Sequence, residues 1–329
     1  MIVRLLQGIS VGGQLTSSMV FTLEHQPRER WGLFGSLVMT VATFGCLLGS
    51  FVGYLMREML TEEQLQTWGW RLPFLSGILL SMCGFYLRDH ADEAHTSGTE
   101  TDSSKPEKNP LEAAFRSENR QPLLSTALVA ACFGAGYYIP YVWMPIFMTD
   151  LIDNPVNGAF GINTLSLLIT GVILFPIGGM AADKYGSQNL MFAGSVVMIL
   201  LSPVFVVIIS RGDEMPAFWA QTGLGIISIL FGAPACAWFV QIFPREIRLT
   251  SVSIGYNLGL AVGGGFAPMI ATYVTSEFGS HASGYLLSVF GICGLCGLCL
   301  APSAMKPSKE IRSKAEVLLG RKDGSSEIV

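Results

Sequence analysis

Few side chains in this sequence could do chemistry, and the best placed is an acid at the end of an apolar run. Gly179-Met-Ala-Ala-Asp183-Lys184-Tyr-Gly186 sets a carboxylate and an amine side by side between glycines. A carboxylate there can face the N-terminus of a neighbouring helix, where the helix dipole favours negative charge, or an arginine, and the glycines permit close helix approach. Arg245 and Arg248, on the next loop of the same side, are the cations available to it. The plain alternative is a tight turn with a solvated Asp.

Other polar groups stand inside apolar stretches. Gln14 cannot titrate, so it offers hydrogen bonds to a substrate or to a neighbouring helix, without charge. Tyr137, Tyr138, Trp143, Gln241, Tyr256 and Asn257 are polar or amphipathic. Of these, Tyr138, Tyr256 and Asn257 are the preferred substrate contacts, whereas Trp143 and Trp219 read as interface anchors. Cys293, Cys296 and Cys299 have a spacing that invites a metal, but ligands every third residue drift around a helix and no His or carboxylate is near. No metal, cofactor or catalytic residue is expected. No Ser-His-Asp set and no phosphate loop after a strand is present, and the absence of an extended basic patch excludes nucleic acid as a partner.

Nine apolar stretches must position these groups: residues 2–22, 32–56, 68–87, 123–148, 162–182, 190–209, 217–242, 252–274 and 282–301. A bilayer core about 30 Å thick takes roughly 20 apolar residues per helix. Backbone groups in hydrocarbon must bond within their own segment, and the stretches lack the alternation of barrel strands, so the fold class is an all-α membrane protein. Composition agrees: 50% of residues are hydrophobic, 13% are charged, and glycine numbers 37 of 329. The seven cysteines all lie within spans, which argues against a disulfide framework. Pro140, Pro145 and Pro176 bend their spans, and glycines 255, 259 and 263 at i, i+4 and i+8 allow close packing or sliding.

Lys and Arg sort by side. One set of loops carries Arg28 and Arg30; Arg88, Lys105, Lys108, Arg116 and Arg120; Lys184; Arg245 and Arg248; and a basic tail from Lys306. The other carries Arg57, Arg71 and Arg211. The positive-inside rule puts the first set and the C-terminus in the cytoplasm and Met1 near the outer face. The first apolar run is too long for a signal core and lacks a basic region before it, so no cleaved signal is expected. A multi-pass protein of the plasma membrane is the expectation, with the lipid bilayer as its surroundings.

The longest polar segment is centred on residues 95–110, whose Ser, Thr, Glu, Lys and Pro cannot bury enough apolar area to fold alone. The expected organisation is therefore a partial N-terminal bundle of three spans over 1–87, a cytoplasmic linker over 88–121, a six-helix C-terminal bundle over 122–303 and a partly helical cytoplasmic tail over 304–329.

Several of these stretches resemble one family. The segment from Gly179 to Gly186 is similar to the G-x-x-x-D-[RK]-x-G signature of the major facilitator superfamily. Arg4-Leu-Leu-Gln7-Gly8-Ile-Ser-Val-Gly12-Gly13-Gln14 and Glu24-His-Gln-Pro27-Arg-Glu-Arg30-Trp-Gly32 resemble the fourth helix and following loop of its metabolite:proton symporters, the group of proline/betaine, 2-oxoglutarate and citrate carriers. Trp68-Gly-Trp70-Arg71-Leu-Pro73-Phe74 looks like the start of its sixth helix. Phe243-Pro244-Arg245-Glu-Ile-Arg248-Leu-Thr250, with Gly255-Tyr256-Asn257 and Gly263-Gly264-Gly265, resembles its tenth-to-eleventh loop and eleventh helix.

The resemblance implies a major facilitator bundle in which these spans are family helices four to twelve, the first three being absent. It also implies transport of small polar metabolites, as osmolytes or organic acids, by proton symport and alternating access. Gly179, Asp183, Lys184, Gly186, Arg245 and Arg248 would then form the cytoplasmic gate. Arg4 would couple protons through an acid of the first helix, or else snorkel to the interface. The family pattern reads Gly-Gly-Glu where this chain has Gly12-Gly13-Gln14, which removes a titratable group. The other function weighed is a truncated or non-transporting membrane sensor or interaction protein on the same fold.

Overall fold

The structure, a computed structural model, describes residues 2–95 and 110–301. The centre of the expected linker and the expected tail lie outside the described residues, which are helical with no strand among them. Helix α1 spans Ile2–Glu24, α2 Trp31–Met59, α3 Glu62–Thr67, α4 Leu72–His95 and α5 Pro110–Ala114. Six long helices follow: α6 Ser117–Asp150, α7 Ala159–Tyr185, α8 Ser187–Ile209, α9 Glu214–Gln241, α10 Arg248–Phe278 and α11 Ala282–Leu300. Between α7 and α8, Gly186 takes φ 88°, a positive value that favours glycine.

Seven described helices are long and apolar enough to cross a membrane: the Arg28–Gly49 stretch that opens α2, and α6 to α11. The other two of the nine expected spans coincide with α1 and α4, which are helical throughout but are not among the seven. Arg4, Gln7 and Gln14 interrupt α1, and Arg88 and Asp89 fall within α4. Large apolar side chains stand exposed along the long helices, among them Leu200, Val204, Phe160, Met269 and Val289. Such a surface is costly in water and suited to hydrocarbon.

The chain divides into two compact units, residues 1–41 with 107–329, and residues 42–106. In the first, one apolar core joins Met19 and Leu23 of α1 and Trp31 of α2 to Trp238 and Phe239 of α9, with Phe243 just beyond that helix. A second core gathers Ile139, Met144 and Phe147 of α6 with Val206, Leu224 and Leu287. Glycines 255, 259 and 263 lie against α6, where a Cβ would strike Thr126, the Ala127 carbonyl and the Ala131 carbonyl respectively. In the second unit, Thr61 and Gln64 form a capping box on α3, and the Arg71 guanidinium lies 4.3 Å from the centre of the Trp70 ring.

Among the described residues, three helices are broken by π-helical segments: Ile139–Trp143 in α6, Leu168–Leu174 in α7 and Ala261–Phe266 in α10. Each segment runs directly into a residue followed by proline: Met144-Pro145, Phe175-Pro176 and Ala267-Pro268. A proline cannot donate to the carbonyl four residues back and its ring clashes with it. Those carbonyls belong to Tyr141, Val172 and Gly264, and each falls inside its π segment. Widening the turn relieves the clash, so the proline positions account for where the helices open.

Candidate functional site

Side chains of α6 link its break to the other two. The Tyr141 hydroxyl, in the α6 break, hydrogen-bonds the Thr170 hydroxyl in the α7 break. Tyr138, one residue before the α6 break, lies against the α10 break, where a Cβ on Gly264 would stand 2.9 Å from Tyr138 Cε2. The Tyr137 ring is 5.7 Å from that of Tyr138 and 5.5 Å from that of Tyr141. Irregular backbone at membrane depth is tolerated where it is buried in protein or lines a cavity, and discontinuous helices commonly bound the sites of membrane carriers.

Polar side chains from neighbouring helices fill the surroundings of the α6 break. Ser228 Oγ donates to the Gly136 carbonyl at 2.6 Å, Gln221 Nε2 to the Pro140 carbonyl at 2.5 Å, and Asn163 Nδ2 to the Tyr141 carbonyl at 3.0 Å. Gln221 Nε2 also reaches Asn163 Oδ1 at 2.9 Å. Asn163 and Gln221 are buried.

A second constellation joins α1 and the start of α2 to the long helices at one end of the bundle. Asp183, at the end of α7, accepts from Gly32 N through Oδ1 at 2.6 Å and from Leu33 N through Oδ2 at 2.9 Å. It thereby caps two donors of the first turn of α2, where four N–H groups have no partner within the helix. The approach depends on glycine on both sides. A Cβ on Gly32 would lie 2.5 Å from the Gly179 carbonyl oxygen, and one on Gly179 would lie 2.6 Å from Ser36 Cβ.

Beside it, Glu24 at the end of α1 pairs with Arg248 at the start of α10, Oε1 to Nη1 2.6 Å. Arg248 also donates through Nε to the Phe243 carbonyl at 3.3 Å, and its guanidinium is 5.9 Å from the centre of the buried Trp31 ring. Arg28 approaches the same ring at 5.6 Å. Further along α1, Asn257 Nδ2 donates to the Gly12 carbonyl at 2.8 Å, and the Thr16 and Ser253 hydroxyls are 2.8 Å apart.

Of the partners expected for Asp183, a helix N-terminus or an arginine, the structure selects the first. Its carboxylate is bound by the amides of Gly32 and Leu33, and neither Arg245 nor Arg248 is its partner. Arg248 is buried and taken by Glu24, while Arg245 is exposed. Lys184 lies over its neighbour Tyr185, Nζ 5.3 Å from the ring centre. Tyr138 lies against the α10 break, and Asn257 joins α10 to α1. Tyr256 is buried in an aromatic cluster, its ring 6.1 Å from Phe133 and 5.5 Å from Phe239. Gln14 is exposed, on the side of α1 away from the buried Thr16, Met19, Val20 and Leu23. Arg4 belongs to α1, but its side chain lies outside the described residues.

Glu24, Asn163, Gln221 and Ser228 were not among the residues singled out from sequence. Glu24 carried a weak signal, as an acid at the end of an apolar run facing a basic loop. Asn163 and Gln221 carried a stronger one, because polar amides within apolar spans need partners, and prolines in α6 create free carbonyls.

The geometry defines a class: a polytopic α-helical integral membrane protein whose broken helices converge in one bundle and whose helix ends interlock by hydrogen bonds and an ion pair. The profile described as Major Facilitator Superfamily matches residues 1–232, and the chain belongs to that family. Its relatives include the inner membrane metabolite transport protein YhjE of Escherichia coli, 27% identical over 87% of this chain and 66% of the relative. A citrate-proton symporter of Klebsiella pneumoniae is 25% identical over 88% of this chain and 65% of the relative. The proline/betaine transporter of Escherichia coli is 25% identical over 89% of this chain and 60% of the relative. The chain thus spans roughly three fifths to two thirds of the length of these relatives. All three relatives carry names of transporters or symporters.

Proposed function

We propose that this chain serves in secondary transport of small polar metabolites, coupled to protons and worked by alternating access between two helical bundles. The observation that carries the reading is the hydrogen-bonded closure of α7 onto α2 through Asp183, in a chain of a transporter family. In this reading the closure is a cytoplasmic gate, made by Asp183, Gly179, Gly32 and the Glu24–Arg248 pair. Lys184, Gly186 and Arg245 belong to the same face. In this reading the membrane is the plasma membrane and the C-terminus is cytoplasmic, the orientation being supported by the distribution of Lys and Arg.

Tyr138 and the exposed Gln14 are the substrate contacts this reading prefers. Asn257 and Tyr256 reach substrate only when the contacts described above open. Arg4 is the group assigned to proton coupling. Carriers of dicarboxylates are expected to bury Arg or Lys along the path; here Arg4 and Arg71 lie near span ends and the buried Arg248 is paired with Glu24, which favours zwitterionic or neutral solutes. The relatives' names support both an osmolyte and an organic acid.

The test is uptake by the reconstituted chain of labelled proline, betaine, citrate and 2-oxoglutarate, with and without an inward proton gradient. Gradient-dependent uptake of one of them supports the proposal; uptake indifferent to the gradient removes proton coupling; no uptake of any removes transport by this chain.

A further inference from the structure

The carbonyls bound by Ser228, Gln221 and Asn163 are the ones that two prolines deprive of partners. Pro140 has no N–H to offer the Gly136 carbonyl, one α-turn upstream, and Ser228 donates there instead. Pro145 has none for the Tyr141 carbonyl, which takes Asn163. The Pro140 carbonyl loses its α-helical donor because Met144 N turns to the Ile139 carbonyl in the wider π register, and the next donor in that register would again be Pro145. Gln221 supplies it. Successive freed carbonyls on one face of α6 are thus met by side chains of α9 and α7.

The same chemistry occurs in α8, where Pro203 frees the Ile199 carbonyl and Ser288 of α11 donates to it at 2.8 Å. That helix stays α-helical through the proline. At α6 the helix opens, and the network beside it is not saturated. Gln221 Oε1 and Ser166 Oγ, the latter one turn along α7 from Asn163, are buried and have no hydrogen-bond partner among the described residues. A spare acceptor and a spare hydroxyl next to a break allow the donors to exchange partners as the break shifts.

We propose that Asn163, Gln221 and Ser228 are positioning residues which set the register of the α6 break, and through it the orientation of Tyr137 and Tyr138 immediately before the break. The functional arm rests on the transport reading above; the structural arm does not.

The test uses proline reversal in the full chain held in lipid nanodiscs, read by amide exchange of the Tyr137–Phe147 peptide. Asn163→Leu leaves the Tyr141 carbonyl unmet and should speed exchange there roughly tenfold, since a buried acceptor without a donor is destabilising. Pro145→Ala restores an N–H able to reach that carbonyl and should cancel most of the increase. Pro140→Ala restores a donor only to the Gly136 carbonyl, so it should rescue Ser228→Ala and leave Asn163→Leu unrescued. Ser228→Ala is the milder variant and decides the question if Asn163→Leu does not fold. Equal rescue by both prolines, rescue by neither, or a rise in exchange spread evenly over α6 to α11 would overturn the proposal.

In the functional arm, Asn163→Leu should raise the KM for the transported solute and Pro145→Ala should bring it back. An unchanged KM with reduced maximal rate would overturn the positioning of Tyr137 and Tyr138. If the unsubstituted chain takes up nothing, the transport reading fails and the exchange pattern alone decides the capping.

Discussion

Asp183 caps the N-terminus that begins at Trp31, its two carboxylate oxygens 2.6 and 2.9 Å from the amides of Gly32 and Leu33. The contact ties the end of α7 to the start of α2, segments 150 residues apart in the chain. Burial pushes the Asp183 carboxyl pKa up, while the two hydrogen bonds and the helix dipole act in favour of its charged form.

Removing the charge while keeping the shape should weaken the contact. In Asp183→Asn one oxygen still accepts, so the loss is about 1 kcal/mol, the upper part of the range for a charge at a helix end. Exchange of the Gly32 and Leu33 amides should rise roughly fivefold in that variant, and more in Asp183→Ala, where both acceptors go. Unchanged exchange in both would show the contact to be incidental.

Gly179 is a steric condition for the same junction. Gly179→Val would set its branched side chain against Ser36 and the Gly32 carbonyl, and overpacking of this kind costs about 1–3 kcal/mol. The thermal midpoint should fall and a cysteine placed at Arg245 should label faster. Gly161→Val, where nothing lies within 4 Å of the added Cβ, is the control and should leave both unchanged.

The Glu24–Arg248 pair should behave as a coupled unit. Its side chains are 24% and 9% exposed, so breaking it costs less than for a fully buried pair, about 1–3 kcal/mol after allowing for screening. Glu24→Gln and Arg248→Gln should each lower the melting temperature, and the double variant should lower it by less than their sum. Strict additivity in that cycle would mean the two side chains do not interact.

Gly263 lets α10 lie on the α6 backbone at Ala131. Gly263→Leu should disrupt this packing severely, because the Cβ itself meets main-chain atoms that cannot rotate away. Expression of monodisperse protein, compared with that of Gly265→Leu, where the added Cβ meets open space, measures the effect. Equal yields would remove the need for glycine at 263.

Much of the fold was legible because hydrocarbon imposes a length and a backbone rule that act on one segment at a time. The six helices α6 to α11 lie where their apolar runs stand, and Gly186 turns the chain where the signature places it. The site was legible in part. Asp183 stood out through its spacing from Gly179 and Gly186, and Tyr138 through its polarity within an apolar span. Tyr256 and Tyr138 look alike in one dimension, yet one ring packs in an aromatic core and the other borders the breaks of α6 and α10. That difference depends on which face of each helix its neighbours cover.

Local composition therefore determined that this chain is helical and suited to a membrane, since hydropathy, proline and glycine act at short range; its motifs, not its composition, resembled the family. Partnership was decided only in three dimensions. Asp183 could have met Arg245, Arg248 or a helix end with similar electrostatic logic, and glycine contacts at Gly32 and Gly179 brought the helix end nearest. Likewise the prolines of α6 announce free carbonyls, but packing against α7 and α9 selects Asn163, Gln221 and Ser228 to meet them, because a hydrogen bond forms only where side chain and carbonyl come within about 3 Å.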